Sequence, residues 1–130
     1  MTSLRPSGIF AITLFVEDLA AAKAFYQAIF DLPVHFEDPD SVVFAFGSTL
    51  VNLLDVRAAP ELVAPAAVGV PDAGVRSQLT IEVADVDAAA AEAVSRGAVL
   101  LNGPMDRPWG VRTAAFQDPG GHVWELAAPH

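Results

Sequence analysis

The chain has 130 residues, 53% of them hydrophobic and 18% charged, which is the size and apolar content of one domain able to bury a core. Seven Lys and Arg stand against 16 Asp and Glu, a formal net charge of −9 that repels phosphate backbones and anionic headgroups, so nucleic acid and membrane surfaces are excluded as natural partners. Cysteine is absent, and with it any disulfide framework, zinc ribbon, thiolate nucleophile or iron-sulfur cluster. No stretch approaches the ~20 apolar residues that would span a bilayer, and Met1 to Ile9 has no signal-like apolar run, so a cytoplasmic protein is expected.

The first predicted strand, Ile12 to Val16, alternates on a two-residue period and is followed by Asp18, placed to cap a helix whose apolar positions are Leu19, Ala22, Tyr26, Ile29 and Phe30. Pro33 is expected to stop that helix. Three strands follow, near Val34 to Glu37, Ser41 to Phe46 and Thr49 to Asp55, with turns at Asp38-Pro39-Asp40 and Gly47-Ser48. Arg57 to Ser77, with three prolines and two glycines, reads as a linker.

After the linker the pattern repeats. Leu79 to Ala91 matches Ile12 to Ala24, with Thr13/Thr80, Val16/Val83 and Asp18/Asp85 identical. The second copy predicts a strand at Leu79 to Val83, a helix near Ala88 to Arg96 ended by Gly97, and strands near Val99 to Leu101, Arg112 to Gln117 and His122 to Ala127. Its sharpest turn is Asp118-Pro119-Gly120-Gly121. The fold class is therefore α+β: two tandem βαβββ modules, about 9–56 and 78–128, forming one curved mixed sheet around a ligand-binding trough.

These features resemble the vicinal oxygen chelate superfamily of glyoxalases, bleomycin resistance proteins and extradiol dioxygenases. The residues that carry the likeness are Val16-Glu17-Asp18-Leu19 with Phe25-Tyr26, Arg107-Pro108-Trp109-Gly110 before Arg112, and Asp118-Pro119-Gly120-Gly121-His122 before Trp124-Glu125-Leu126. The resemblance implies four inward ligand positions, usually His or Gln, Glu, His and Glu, which fall on Ala11, Asn52, Gln78 and Glu125. Only Glu125 is a strong ligand, so no metal cofactor is expected and a divalent ion is disfavoured. A homodimer is implied by the same resemblance.

Strand alternation places Ala11, Thr13 and Phe15 on one face and Gln78, Thr80 and Glu82 on its counterpart, with Val123, Glu125 and Ala127 facing as Glu125 does. The expected binding residues are Thr13, Phe15, Phe46, Asn52, Gln78, Thr80, Trp109 and Arg112, with Glu125 as a proton acceptor or the partner of a cation. Trp109 lies in a loop and is the expected stacking platform; Trp124 points to the helices as core. His122 reads as a turn or packing residue. The functional expectation is a drug- or metabolite-binding protein without turnover, its acidity suited to a cationic drug. The alternative is a glyoxalase-like lyase, isomerase or dioxygenase using Glu125 as base or metal ligand. Whether the trough forms within one chain or across a dimer stays open at this level.

Overall fold

A computed structural model describes residues 3–130. The first module runs β1 (Ala11–Val16), α1 (Leu19–Phe30), β2 (Phe36–Asp38), β3 (Ser41–Phe46) and β4 (Thr49–Asp55). The linker holds a short helix, α2 (Ala59–Val63), flanked by single 3-10 turns at Val56–Ala58 and Pro71–Ala73. The second module repeats the order as β5 (Gln78–Glu82), α3 (Val86–Ser95), β6 (Leu100–Asp106), β7 (Val111–Gln117) and β8 (Val123–Pro129). Each module forms its own four-stranded mixed sheet, ordered β1-β4-β3-β2 and β5-β8-β7-β6, with the first pair in each list parallel and the others antiparallel.

The local signals act as their chemistry requires. Asp18 and Asp85 accept from the amides of Ala21 and Ala88, capping α1 and α3 at equivalent positions of the two copies. α1 ends before Pro33, at Asp31, which adopts a left-handed conformation (φ 52°). β6 is longer than expected. It runs on through Gly103 and Pro104, and its register against β7 shifts twice. At Gly103 (φ 82°) a Cβ would stand 2.8 Å from the Ala114 Cα, so glycine is what lets the two strands approach there.

The two sheets face each other across the helices. Phe44 and Phe46 of β3 lie on the same side as Leu53 of β4, while Trp124 and Leu126 of β8 share a side with Phe116 of β7, and these sets meet in one core. The Phe46 and Trp124 rings stack at 5.1 Å, and Phe30 of α1 touches both. Were the sheets joined edge to edge, β3 and β8 would lie at least three strand spacings apart, about 14 Å, too far for that contact. The expected pair of modules is present, as two four-stranded mixed sheets that are not closed onto one another.

A buried polar chain locks this arrangement. The Trp124 indole N–H donates to the Tyr26 hydroxyl (2.8 Å), which donates to Asp118 Oδ2 (2.6 Å). Asp118 also accepts from the backbone amides of Gly120 and His122 and lies 3.0 Å from His122 Nδ1. Burial alone would raise the Asp118 pKa, but the bonds from His122 and Tyr26 outweigh it and hold the carboxyl below its ordinary range. Burial, then the neighbouring carboxylate, pushes the Tyr26 phenol far up, so it remains a donor. Among the described residues, no helix is long and apolar enough to cross a membrane.

Two outcomes follow for chemical denaturation. Tyr26→Phe strands the Trp124 N–H and is expected to cost about 1–3 kcal/mol. Because the folded Asp118 pKa is lowered, its contribution is present above the unfolded value of 3.8 and is lost as pH falls through the folded one. The stability gap between wild type and Asp118→Asn should therefore be widest near neutrality and narrow in acid; a gap independent of pH contradicts this account.

Candidate functional site

Facing sheets turn their other sides outward, and those sides carry most of the expected binding residues. In the first module Thr13 registers with Asn52, and Asn52 with Val43; in the second Thr80 registers with Glu125, and Glu125 with Ala115. The repeat has thus placed a threonine beside a polar residue at the same point of both sheets. The two pairs differ chemically. The Thr80 hydroxyl donates to Glu125 Oε1 at 3.0 Å, a bond that uses the carboxylate as acceptor. Asn52 Nδ2 reaches Thr13 Oγ1 only at 3.5 Å, and Asn52 Oδ1 is buried with no hydrogen-bond partner. An orphaned acceptor costs about 1–3 kcal/mol, so it is either a strain carried by the fold or the place where a donor arrives.

Ala11 and Gln78 are exposed on the same outward faces, next to Leu50 and Val123. Phe15 is half-buried beside Leu54 and, with Thr13, lines a cavity of about 320 Å³ walled by linker residues 69–77 and by Gly120, Gly121 and His122. Ala11 and Asn52 belong to one sheet and Gln78 and Glu125 to the other, each pair on the side of its sheet away from the shared aromatic core.

Two expected trough residues lie elsewhere. Phe46 is on the core side of β3, stacked on Trp124, because it shares the parity of Phe44 and not that of Asn52's neighbour Val43. Arg112 registers with Ala128, on the core side of β8, and its guanidinium grips Asp87 at the start of α3 (2.7 and 2.9 Å) and Asp106 (2.9 Å). It serves as a clamp between helix and sheet and does not meet Glu125. Trp109 is 69% exposed in the turn between β6 and β7, free of the core. Trp124, by contrast, is 2% exposed.

One residue escaped the sequence reading as a site member. Arg107, quoted there only as part of a motif, lies over the outward face of the second sheet. Its Nε donates to Thr113 Oγ1 (2.9 Å), its Nη2 donates to Asn102 Oδ1 (3.1 Å), and its guanidinium carbon stands 5.9 Å from the centre of the Trp109 ring. The signal was the Arg-Pro-Trp run itself, but the shifted register of β6, which decides where the guanidinium lands, is not visible in the sequence.

Chemically, the four positions implied by the resemblance supply a methyl group, two neutral amides and one carboxylate. That set does not fit a divalent transition ion, which wants imidazole or several anionic oxygens. Among the described residues, no three His, Cys, Asp or Glu cluster in a way that could hold a metal.

A sequence model described as the Glyoxalase/Bleomycin resistance protein/Dioxygenase superfamily matches residues 8–126. Among solved structures, a glyoxalase/bleomycin resistance protein/dioxygenase from Nocardioides is 25% identical with a TM-score of 0.79, covering 98% of this chain and 86% of that one. TnmS3, an antibiotic binding protein from a Streptomyces species, is 26% identical with a TM-score of 0.74, covering 98% of this chain and 100% of that one. A lactoylglutathione lyase from Agrobacterium tumefaciens, 24% identical with a TM-score of 0.76 over 95% of this chain and 94% of that one, shares the fold. None of the curated proteins compared with the chain matches it in sequence.

The orphaned oxygen makes a direct prediction. Asn52→Leu, flanked by Leu50, Leu54 and Val43, is expected to raise stability by about 1 kcal/mol in urea denaturation, since it removes an unpaid desolvation cost. A loss of similar size would show that Asn52 is a structural residue with partners of its own.

Proposed function

Since the chain belongs to the glyoxalase/bleomycin resistance protein/dioxygenase superfamily, we propose that it acts as a small-molecule-binding protein of that superfamily, without the metal centre of its catalytic members. The observation that carries this reading is the pair of outward faces. Each presents a Thr beside a polar residue, on a mainly apolar face in the first sheet and on a face that also carries Gln78, Glu82 and Gln117 in the second, with an unpaired buried acceptor at Asn52 and an exposed indole at Trp109. A few fixed polar groups on an apolar wall with an aromatic platform suit an organic ligand held by shape and stacking. The antibiotic-binding relative at 26% identity supports the same direction.

The ligand sits, on this proposal, in a trough made by two copies of the chain. The face with Thr13, Phe15 and Asn52 in one copy lies across from the face with Thr80, Glu125 and Trp109 in the other, giving a symmetric dimer with two equivalent sites. The exposed edges of β1 and β5, unpaired within each sheet, and the exposed Ile9 and Phe10 beside β1 are consistent with such a contact. Glu125 and Asn52 orient the ligand, and catalysis is not required of them.

Complementation tests the arrangement, with the neutral fluorescent dye N-phenyl-1-naphthylamine as probe. Asn52→Lys and Glu125→Lys should each abolish the dye's fluorescence gain when alone. Mixed and allowed to exchange, they should recover roughly a quarter of the sites, because one trough of each mixed dimer is then wild type at both positions. No recovery, with both variants folded and dimeric, would place the site within one chain. Wild-type protein that binds no dye would remove the reading altogether. Trp109→Ala should weaken dye binding by about 1–2 kcal/mol while Trp124→Phe, a core change, leaves the affinity unaltered.

A further inference from the structure

We infer that the ligand carries an anionic group, bound by Arg107, beside a planar ring stacked on Trp109; this deepens the binding reading above and rests on it. Cations are scarce in this chain, and the structure shows how most are used. Arg57, Arg96, Arg112 and Lys23 each bridge a carboxylate. Arg107 does not. Half-buried on the outward face of the second sheet, it has no carboxylate within 4.0 Å among the described residues and is held by two neutral acceptors, Thr113 and Asn102. Thr113 is 1% exposed, so one end of the fork is anchored in the sheet.

That combination has a specific physical consequence. Two donors fix the orientation of the plane, while Nη1 remains unused and the positive charge is not neutralised by a neighbour. A preorganised, unpaired guanidinium offers charge-assisted bonds to a carboxylate, sulfonate or phosphate with little further loss of side-chain freedom. Trp109 beside it supplies the flat apolar surface for a ring. Both lie in the same short turn, so they act on neighbouring parts of one molecule.

Glu125 sets the other end. Asn102, Ala115 and Glu125 register across β6, β7 and β8, and Thr113 registers with Ala127 two residues beyond Glu125, which puts the carboxylate roughly 8–10 Å from the two anchors of Arg107. A second anionic group there is repelled, whereas a hydroxyl, amide or amine is accepted. The ligand class is therefore an aromatic or otherwise planar acid with a hydrogen-bond donor at its far end. This reverses the local expectation drawn from net charge: the −9 belongs to the whole surface, and the ligand meets an arginine.

Three matched probes decide it by titration calorimetry: 2-naphthoate, the neutral 2-naphthamide, and the cationic 2-naphthylmethylammonium. The wild type should bind the carboxylate about tenfold more tightly than the amide and hold the cation weakest. Arg107→Gln should bring the carboxylate to within about twofold of the amide while keeping amide affinity, and Arg107→Lys should retain part of the preference. If the amide or the cation binds as well as the carboxylate, or if Arg107→Gln leaves the preference intact, the anion assignment is overturned while the binding reading stands. If Trp109→Ala has no effect and none of the three binds, both fall. Circular dichroism of the variants separates lost recognition from lost fold.

Discussion

The contact between Trp124 and the first module decides where everything else can be. Its ring stacks on Phe46, its N–H is taken by Tyr26, and Tyr26 hands its own proton to a bond with Asp118. Tyr26 of α1 is thus tied to two residues more than 90 positions further along the chain, Asp118 in the turn before β8 and Trp124 within it, and the partners are buried, so none of these bonds can be exchanged for water without cost. With that clasp closed, the sheets face inward with their large aromatics and outward with their threonines. The outward placement of Thr13 and Thr80 follows from how the core is packed.

Duplication then gives two outward faces that are alike in register and unlike in charge. Thr13 beside Asn52 and Thr80 beside Glu125 occupy equivalent register positions, yet one pair leaves an unsatisfied amide oxygen and the other a carboxylate already accepting one bond. Brought together by a second copy, the two faces would offer a ligand donor-seeking oxygens on both walls, with Arg107 and Trp109 at one rim. A single carboxylate among amides lacks the anionic density that a catalytic divalent ion needs.

Much of the fold was legible before the structure. Alternation in Ile12 to Val16, the capping aspartates Asp18 and Asp85, and the repeated Thr, Val and Asp positions specify two βαβββ modules, since each is a local backbone signal. Parity also set Thr13 and Thr80 on one side of their strands and Trp124 opposite Glu125, while the positions of Asn52 and Glu125 came from the resemblance. It went wrong for Phe46 and Arg112, where residue type was allowed to outweigh parity: Phe46 has the phase of Phe44, and Arg112 reaches Asp87 across the core side of β7. Arg107 was missed because a register shift in β6 is a tertiary fact, set by the close approach at Gly103. The facing of the sheets was out of reach for a similar reason. No sequence periodicity records which of two apolar faces meets which.

The central claim is that one chain cannot close the trough alone, and the absence of cysteine allows a clean test of it. Carry Asn52→Cys and Glu125→Cys in the same chain and treat the protein with a bismaleimide about 10 Å long, at a concentration where the chain self-associates. The account predicts covalent dimers on a denaturing gel, lost when either cysteine is omitted. Efficient cross-linking within monomers, with no dimer band, would contradict it.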